Sequence, residues 1–320
     1  MMSVLRAPWA VVHSPGYTLD MSGQESLHPF DVHKYRKIAD LLHADGLLDG
    51  GTIIEPDPLT EPEAASVHTS DYMRLWTDPE TMAEIFEVDY LRNVSPDTIR
   101  TRYLPPYFAM AGGTVRAARE ALQCGTAFNI GGGFHHAHAD HGSGFCFVAD
   151  VAVAIRLLMR EKLIQRAAIV DCDVHQGDGN ATIFAGDPAV FTLSFHQEDI
   201  FPFEKATSTR DVPFPAGTGD EIYMALLREH VPDVLDAHRP DIVFYVAGSD
   251  VHADDPLAAA ELTAAGIVQR DAYVWRHARK RGIPFVMVLA GGYFPRCPEV
   301  HAASIGNVIN LAKKQGLNGR

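Results

Sequence analysis

The chain has 320 residues, 47% of them hydrophobic, enough to bury one extensive core without disulfides. Its 41 Asp and Glu outnumber 27 Lys and Arg; the formal charge of −14 argues against a nucleic-acid binder and would weakly steer a cationic peptide or polyamine toward the surface. Cys124, Cys146, Cys172 and Cys297 form no Cys-x-x-Cys pair, the apolar run Trp9 to Val12 within Met1 to Pro15 is too short for a secretory leader, and no run approaches a membrane span, so the expected setting is the cytoplasm.

In chain order, the first 125 residues are irregular. Strand-like pieces fall at Ala10–His13 and Thr52–Glu55, helical periods at Val32–Leu48 and Gly112–Gln123, and loops near 56–63 and 93–106. From residue 127 onward short apolar runs alternate with helical periods, the pattern of a mostly parallel sheet flanked by helices. The expected strands are Ala127–Ile130, Ala167–Asp171, Val190–Phe195, Ile242–Ala247 and Pro284–Ala290. The expected helices are Val151–Glu161 with Asp150 as N-cap, Glu221–His238 interrupted by Pro232, and Ala264–Arg281 opened by Thr263. No repeat or linker divides the chain, which reads as one α/β domain over residues 1–320 ending in a loose tail, Lys313 to Arg320.

The unusual polar clusters follow the strands directly, and in a parallel sheet ligands bind beyond the strand C-termini. They are Gly131-Gly-Gly-Phe-His-His136, Asp171-Cys-Asp-Val-His-Gln-Gly-Asp178, Gly248-Ser-Asp250 and Gly291-Gly-Tyr293. In an extended chain Asp171, Asp173 and His175 share one face, and such a row beside a buried sheet is costly unless a cation sits among them. Asp173 and His175 with Asp250 make three oxygen and nitrogen ligands and leave a position for water, as catalytic zinc requires. An isolated Asp-x-His is usually a salt-bridged rim or a helix cap; the coincidence of a second strand-end Asp and a His pair argues otherwise. His135 and His136 follow glycines that let the backbone turn closely, and two imidazoles beside a metal suit proton transfer if Asp171 and Asp178 orient them. Tyr293 fits an oxyanion donor. Asp187-Pro188, Phe184 and Ser194-Phe195-His196 are expected to flank the same end of the sheet as wall residues. His138 and His141 leave a His-rich metal tract as a rival reading.

With these motifs the sequence resembles the histone deacetylase family. Asp171-Cys-Asp-Val-His175-Gln-Gly-Asp178-Gly matches its zinc motif, Gly131-Gly-Gly-Phe-His135-His136 followed by Gly144-Phe145-Cys146 its histidine motif, Ala247-Gly-Ser-Asp250 its third ligand, and Gly291-Gly-Tyr293 its tyrosine. His175-Gln176-Gly177, Leu27-His-Pro-Phe-Asp31 and Gly266-Ile-Val-Gln-Arg-Asp271 look most like the class IV branch. The resemblance implies an arginase/deacetylase-like fold, a single Zn2+ (or Fe2+), and a structural K+ near Asp171, Asp173, His175, Ser194 and Phe195. It also implies an acyl-lysine tunnel walled by Gly144, Phe145 and Phe201. Gln176 stands where many members have a second histidine, and Asp89 and Asp97 are candidates for the rim aspartate that holds the substrate backbone.

The expected activity is zinc-dependent hydrolysis of an N-acyl-lysine amide, acetyl or longer, on a protein or peptide. His136 serves as general base, His135 as its electrostatic partner or second acid, and Tyr293 as oxyanion donor. An acylated polyamine is the rival substrate. The other readings are a two-manganese ureohydrolase and a catalytically silent module that binds acyl-lysine. The sequence carries no signal for an oligomeric state.

Overall fold

The computed structural model describes residues 7–20, 23, 28–48 and 53–318. Leu27, Thr52, most of Met1 to Pro15's first half and the last two residues of the expected tail lie outside them. The strands are β1 (Ala10–Val12), β2 (Ile53–Ile54), β3 (Thr126–Asn129), β4 (Ala167–Asp171), β5 (Val190–Gln197), β6 (Arg210–Phe214), β7 (Ile242–Val246) and β8 (Phe285–Val288). They form one eight-stranded sheet in the order β2-β1-β3-β8-β7-β4-β5-β6, and every pairing is parallel. Strands β3, β4, β7 and β8 are buried along their whole length, as strands covered by helices on both faces must be. Those four are neighbours, so the segments leaving their C-terminal ends meet above the middle of the sheet.

The expected strands are present with small shifts at their ends, and β6 is additional. Its sequence, Arg-Asp-Val-Pro-Phe, carries a proline and charges that weaken any strand signal; they are tolerated because β6 is an edge strand. The helix Asp220–His238 runs through Pro232 instead of breaking, held by the buried face of Leu227, Val231, Val234 and Leu235. The helix Leu104–Cys124 begins well before the expected Gly112, with its prolines in the first turn, where a missing N–H is harmless, and ends at Gly125 with φ 91°. The expected loop near 56–63 contains the short helix Glu61–Ala64. No loose tail begins at Lys313: a helix spans Cys297–Asn318 and packs on the helices Lys34–Ala44 and Ala264–Lys280. Val300, Ser304, Val308 and Ala312, buried at helical spacing, explain it.

Thr263 is the N-cap expected, accepting the Gly266 N–H at 2.9 Å. Asp150 is not a cap. It is the first residue of the helix Asp150–Arg160, after Ala149, and its carboxylate is fully buried beneath the glycine turn. Gly133 and Phe134 donate their N–H groups to it at 2.9 and 2.8 Å, and Thr114 donates its hydroxyl. The turn therefore has its shape because an acceptor waits inside it. Asp150→Ala leaves two buried N–H groups unpaired and is expected to lower stability by roughly 2–5 kcal/mol, checked by urea unfolding at constant m-value.

Candidate metal centre and active site

β4 ends at Asp171, and the next residues are held by their own carboxylates. Asp171 Oδ1 accepts the Asp173 N–H at 3.1 Å, and Asp173 Oδ1 accepts the His175 N–H at 3.0 Å. This keeps the spacing of the three side chains toward one site after the strand has stopped. Asp250 arrives from the end of β7, the strand that pairs with β4 in the register Asp171 to Val246. Ligand atoms of Asp173, His175 and Asp250 all lie within 4.8 Å of one another, and all three residues are buried.

The donors fit a cation. His175 Nδ1 stands 3.2 Å from Asp173 Oδ1 and 3.3 Å from Asp250 Oδ2. Asp250 Oδ2 is buried without a hydrogen-bond partner, while Oδ1 accepts the Val174 N–H at 2.9 Å. A Cβ at Gly291 would lie 2.0 Å from Asp250 Oδ2 and 2.7 Å from Asp173 Oδ2, so only glycine lets the backbone close over the carboxylates. The Gly291 N–H donates to Asp173 Oδ2 at 2.8 Å. Burial, then the charge of Asp173, pushes Asp250 up to about 7. Burial pulls His175 down, but the nearby carboxylates of Asp173 and Asp250 outweigh this and carry it up to about 10. An imidazole drawn upward by two buried carboxylates marks a place that calls for positive charge.

The turn after β3 takes φ values of 68° at Gly132 and 85° at Gly133, and a Cβ on Gly133 would lie 2.8 Å from the Ala290 N. It delivers two buried imidazoles, each bound to its own carboxylate. His135 Nδ1 donates to Asp171 Oδ2 at 2.8 Å, and His136 Nδ1 donates to Asp178 Oδ1 at 2.6 Å. Burial lowers both, but Asp171 and Asp173 lift His135 to about 9, whereas His136, beside His135, drops to about 4 despite Asp178.

Tyr293 follows β8 on a loop with φ 49° at Ala290 and 126° at Gly292. Its N–H donates to the buried Asp255 Oδ2 at 2.8 Å. Burial, then Asp173 and Asp250, pushes its phenol well above the ordinary value, so the group stays a donor. The loop has a second anchor: the fully buried Lys34 donates to the Ala290 and Gly291 carbonyls at 2.7 and 3.0 Å. Lys34 and Asp255 escape the sequence reading. Lys34 had a legible signal, since it lies on the buried stripe with Ile38 and Leu42. Asp255, in Asp254-Asp-Pro, had none.

Gly144 has φ 51°, and a Cβ there would lie 2.6 Å from His136 Cδ2 and 2.9 Å from Phe201 Cε1. Phe145 packs 6.0 Å from the Tyr293 ring, and Phe201 5.0 Å from the His136 ring. A pocket of about 830 Å³, including space open to solvent, is lined by His135, His136, Gly144, Phe145 and Tyr293 at the site. It continues to Leu19, Tyr107, Met110, Val88 and Leu91. Phe201 is not among its lining residues. Gln176 supports the Phe201 loop from below: its amide donates to Ala206 O and Asp211 Oδ1, each at 2.8 Å, and accepts the Ala206 N–H.

Ser194 is the register partner of Asp171, Phe195 is fully buried beyond it, and Ser194 Oγ lies 3.0 Å from His196 Nδ1. Asp187 and Phe184 do not flank this end. The helix Asp178–Ile183 carries the chain back down, so Asp187 precedes β5 and pairs with Arg156 at 2.7 Å, which also covers the Phe184 ring. Asp89, between the pocket-lining Val88 and Leu91, is exposed beside Arg92, and Asp97 is exposed and paired with Arg100. None of the four cysteines is in a disulfide, and His138 and His141 join no three-residue metal cluster among the described residues.

A family model described as histone deacetylase domain matches residues 28–309. The chain is 34% identical over 311 residues to Histone deacetylase 2 of Arabidopsis thaliana, covering 96% of this chain and 79% of that protein. It is 32% identical to a probable deacetylase of Archaeoglobus fulgidus (84% and 77% covered) and 30% identical to the acetoin utilization protein AcuC of Bacillus subtilis (88% and 76%). Among solved structures, the HDA15 HD domain superposes with a TM-score of 0.76 at 24% identity over 96% of this chain and 88% of that one, a likeness of fold. With a matching domain over most of its length and relatives of this identity along nearly all of it, the chain belongs to the histone deacetylase family.

Proposed function

We propose that the chain is a zinc-dependent deacylase, a single catalytic domain over residues 1–320 that hydrolyses the amide of an N-acyl-lysine in a protein or peptide. The observation that carries this reading is the meeting of the buried Asp173, His175 and Asp250 with two carboxylate-bound imidazoles and a phenol at the head of an apolar pocket. Asp173, His175 and Asp250 would hold Zn2+, or Fe2+ as the alternative. When bound, such an ion supplies Lewis acidity and lowers the pKa of a coordinated water from about 15.7 toward roughly 7.

The protein's own groups do the rest. His136, held low by burial and by the neighbouring His135 and oriented by Asp178, is free to take a proton, and His135, held high by Asp171 and Asp173, keeps one. Tyr293 keeps its hydroxyl proton and donates it as a hydrogen bond to the developing oxyanion. Gly144 and Phe145, with Phe201 beside His136, would admit the slender acyl-lysine stem. The branch reading is class IV, supported by His175-Gln176-Gly177, in which Gln176 ties down the Phe201 loop. K+ near Asp171, Asp173, His175, Ser194 and Phe195 would be structural, and the cytoplasm is the proposed location. Asp89 is the better candidate for the rim aspartate, since its neighbours line the pocket. No described helix is long and apolar enough to cross a membrane.

Metal analysis is expected to return one ion per chain, with loss of that ion and of turnover on chelation and in Asp250→Asn; two manganese ions would favour the ureohydrolase chemistry. Tyr293→Phe is expected to lower kcat by ~10²–10³-fold and His136→Ala by ~10²–10⁴-fold on an acyl-lysine peptide. Full turnover in either would remove that residue's role. The pocket continues past the site into apolar residues, so rates over an acetyl-to-myristoyl series are expected to rise with chain length on lysine peptides. Faster cleavage of acylated polyamines would move the substrate to that class, and a zinc-loaded chain that binds the peptide but returns it uncut would be a silent reader.

A further inference from the structure

Asp178 is gripped by two imidazoles. His136 Nδ1 and the Gly179 N–H donate to Oδ1 at 2.6 and 3.0 Å, while His138 Nε2 stands 3.3 Å from Oδ2. The far side of His138 is fixed as well. Its Nδ1 lies 2.7 Å from the hydroxyl of Thr182, on the helix that Asp178 opens; with that hydroxyl donating to Nδ1, the ring's one N–H sits on Nε2, facing Asp178. The His138 side chain is 12% exposed and the Asp178 side chain 10%. His141 closes the outer face, its ring stacked on His138 at 4.1 Å and 11°.

A carboxylate bonded through one oxygen turns freely about its last torsion, which has only broad minima. Holding the second oxygen removes that freedom, and with it the freedom of any ring that takes its orientation from the carboxylate. We propose that His138 is a positioning residue for the His136–Asp178 pair. It pins Asp178 Oδ2 to the helix beneath, so that Oδ1 meets His136 in one direction. One short turn thus supplies both the imidazole at the site and the strut that aims it. The tract His138 to His141 then needs no metal of its own. The kinetic part of the test rests on the proposed deacylase reading; the geometric part does not.

In the full-length, zinc-loaded chain, His138→Ala is expected to lower kcat on the preferred acyl-lysine peptide by ~10–100-fold with KM changed by less than about twofold, at unchanged zinc content and thermal midpoint. His138→Gln, whose amide nitrogen reaches the same oxygen, is expected to restore most of the rate, and Thr182→Val to fall between. Unchanged kcat in His138→Ala, a Gln variant as slow as Ala, or a loss matched by lost zinc or lost stability overturns the proposal. In 15N-histidine-labelled protein, the bonded His136 Nδ1–H resonance, assigned by its loss in Asp178→Asn, is expected to shift or broaden in His138→Ala and return in His138→Gln. If the wild type cuts no acyl amine, the deacylase reading fails, and this resonance alone decides: one unmoved by His138→Ala overturns the positioning role.

Discussion

Asp171, Asp173 and Asp250 have been taken out of water together, with His135 and His175 among them, and the tips of the central strands are arranged around that fact. Carboxylates at this depth are costly unless every oxygen meets a donor or a cation. Backbone N–H groups answer part of the demand: Asp173 and His175 donate to the preceding carboxylates, Val174 to Asp250, and Gly291 to Asp173. His135 and His175 answer another part. What is left over points inward, at Asp250 Oδ2 and the His175 ring.

The strand order makes this meeting possible. Because β7 lies beside β4, Asp250 reaches Asp173 without a long loop, and because β8 and β3 follow on the other side, the Gly291 loop and the His pair close over the carboxylates. Each loop is then held by a buried polar residue outside the chemistry. Asp150 fills the glycine turn, Lys34 and Asp255 hold the segment that presents Tyr293, and Gln176 holds the loop that carries Phe201. On the proposed deacylase reading such supports would be worth more than their own bonds, since a misplacement of about 1 Å at a reacting group costs on the order of 10²-fold in rate.

The β4 and β7 cores and the meeting of Asp173, His175 and Asp250 were legible because their signals are local: a short apolar run followed at once by Asp-x-Asp-x-His, or by Gly-Ser-Asp. The pairing of His135 with Asp171 and His136 with Asp178 was legible too, as a need for acceptors, and the distances bear it out. What escaped depends on partners far along the chain. Asp150 looks like a helix cap until the Gly133 turn folds onto it. Lys34 stands on a buried helical stripe, but the carbonyls that its ammonium meets lie some 256 residues away. β6 is polar because an edge strand can be, and the last helix was missed because its buried stripe has meaning only against two other helices. Asp187 was placed at the wrong end of the sheet because sequence order does not say where a helix returns the chain.

His135 and His136 are neighbours of one type, equally buried, and end up in opposite states. His135 faces Asp171 and Asp173, so two negative charges outweigh the loss of water. His136 faces only Asp178, and it stands beside His135 and near His175, whose positive charges repel a further proton. The second imidazole is kept neutral first by its burial and then by the charge of the first. That dependence makes the pair directional: weakening the hold of Asp171 on His135 would also ease protonation of His136. Two adjacent imidazoles need differing environments to hold different protonation states, and here a single row of carboxylates off β4, reached unequally by the two residues, helps to create them.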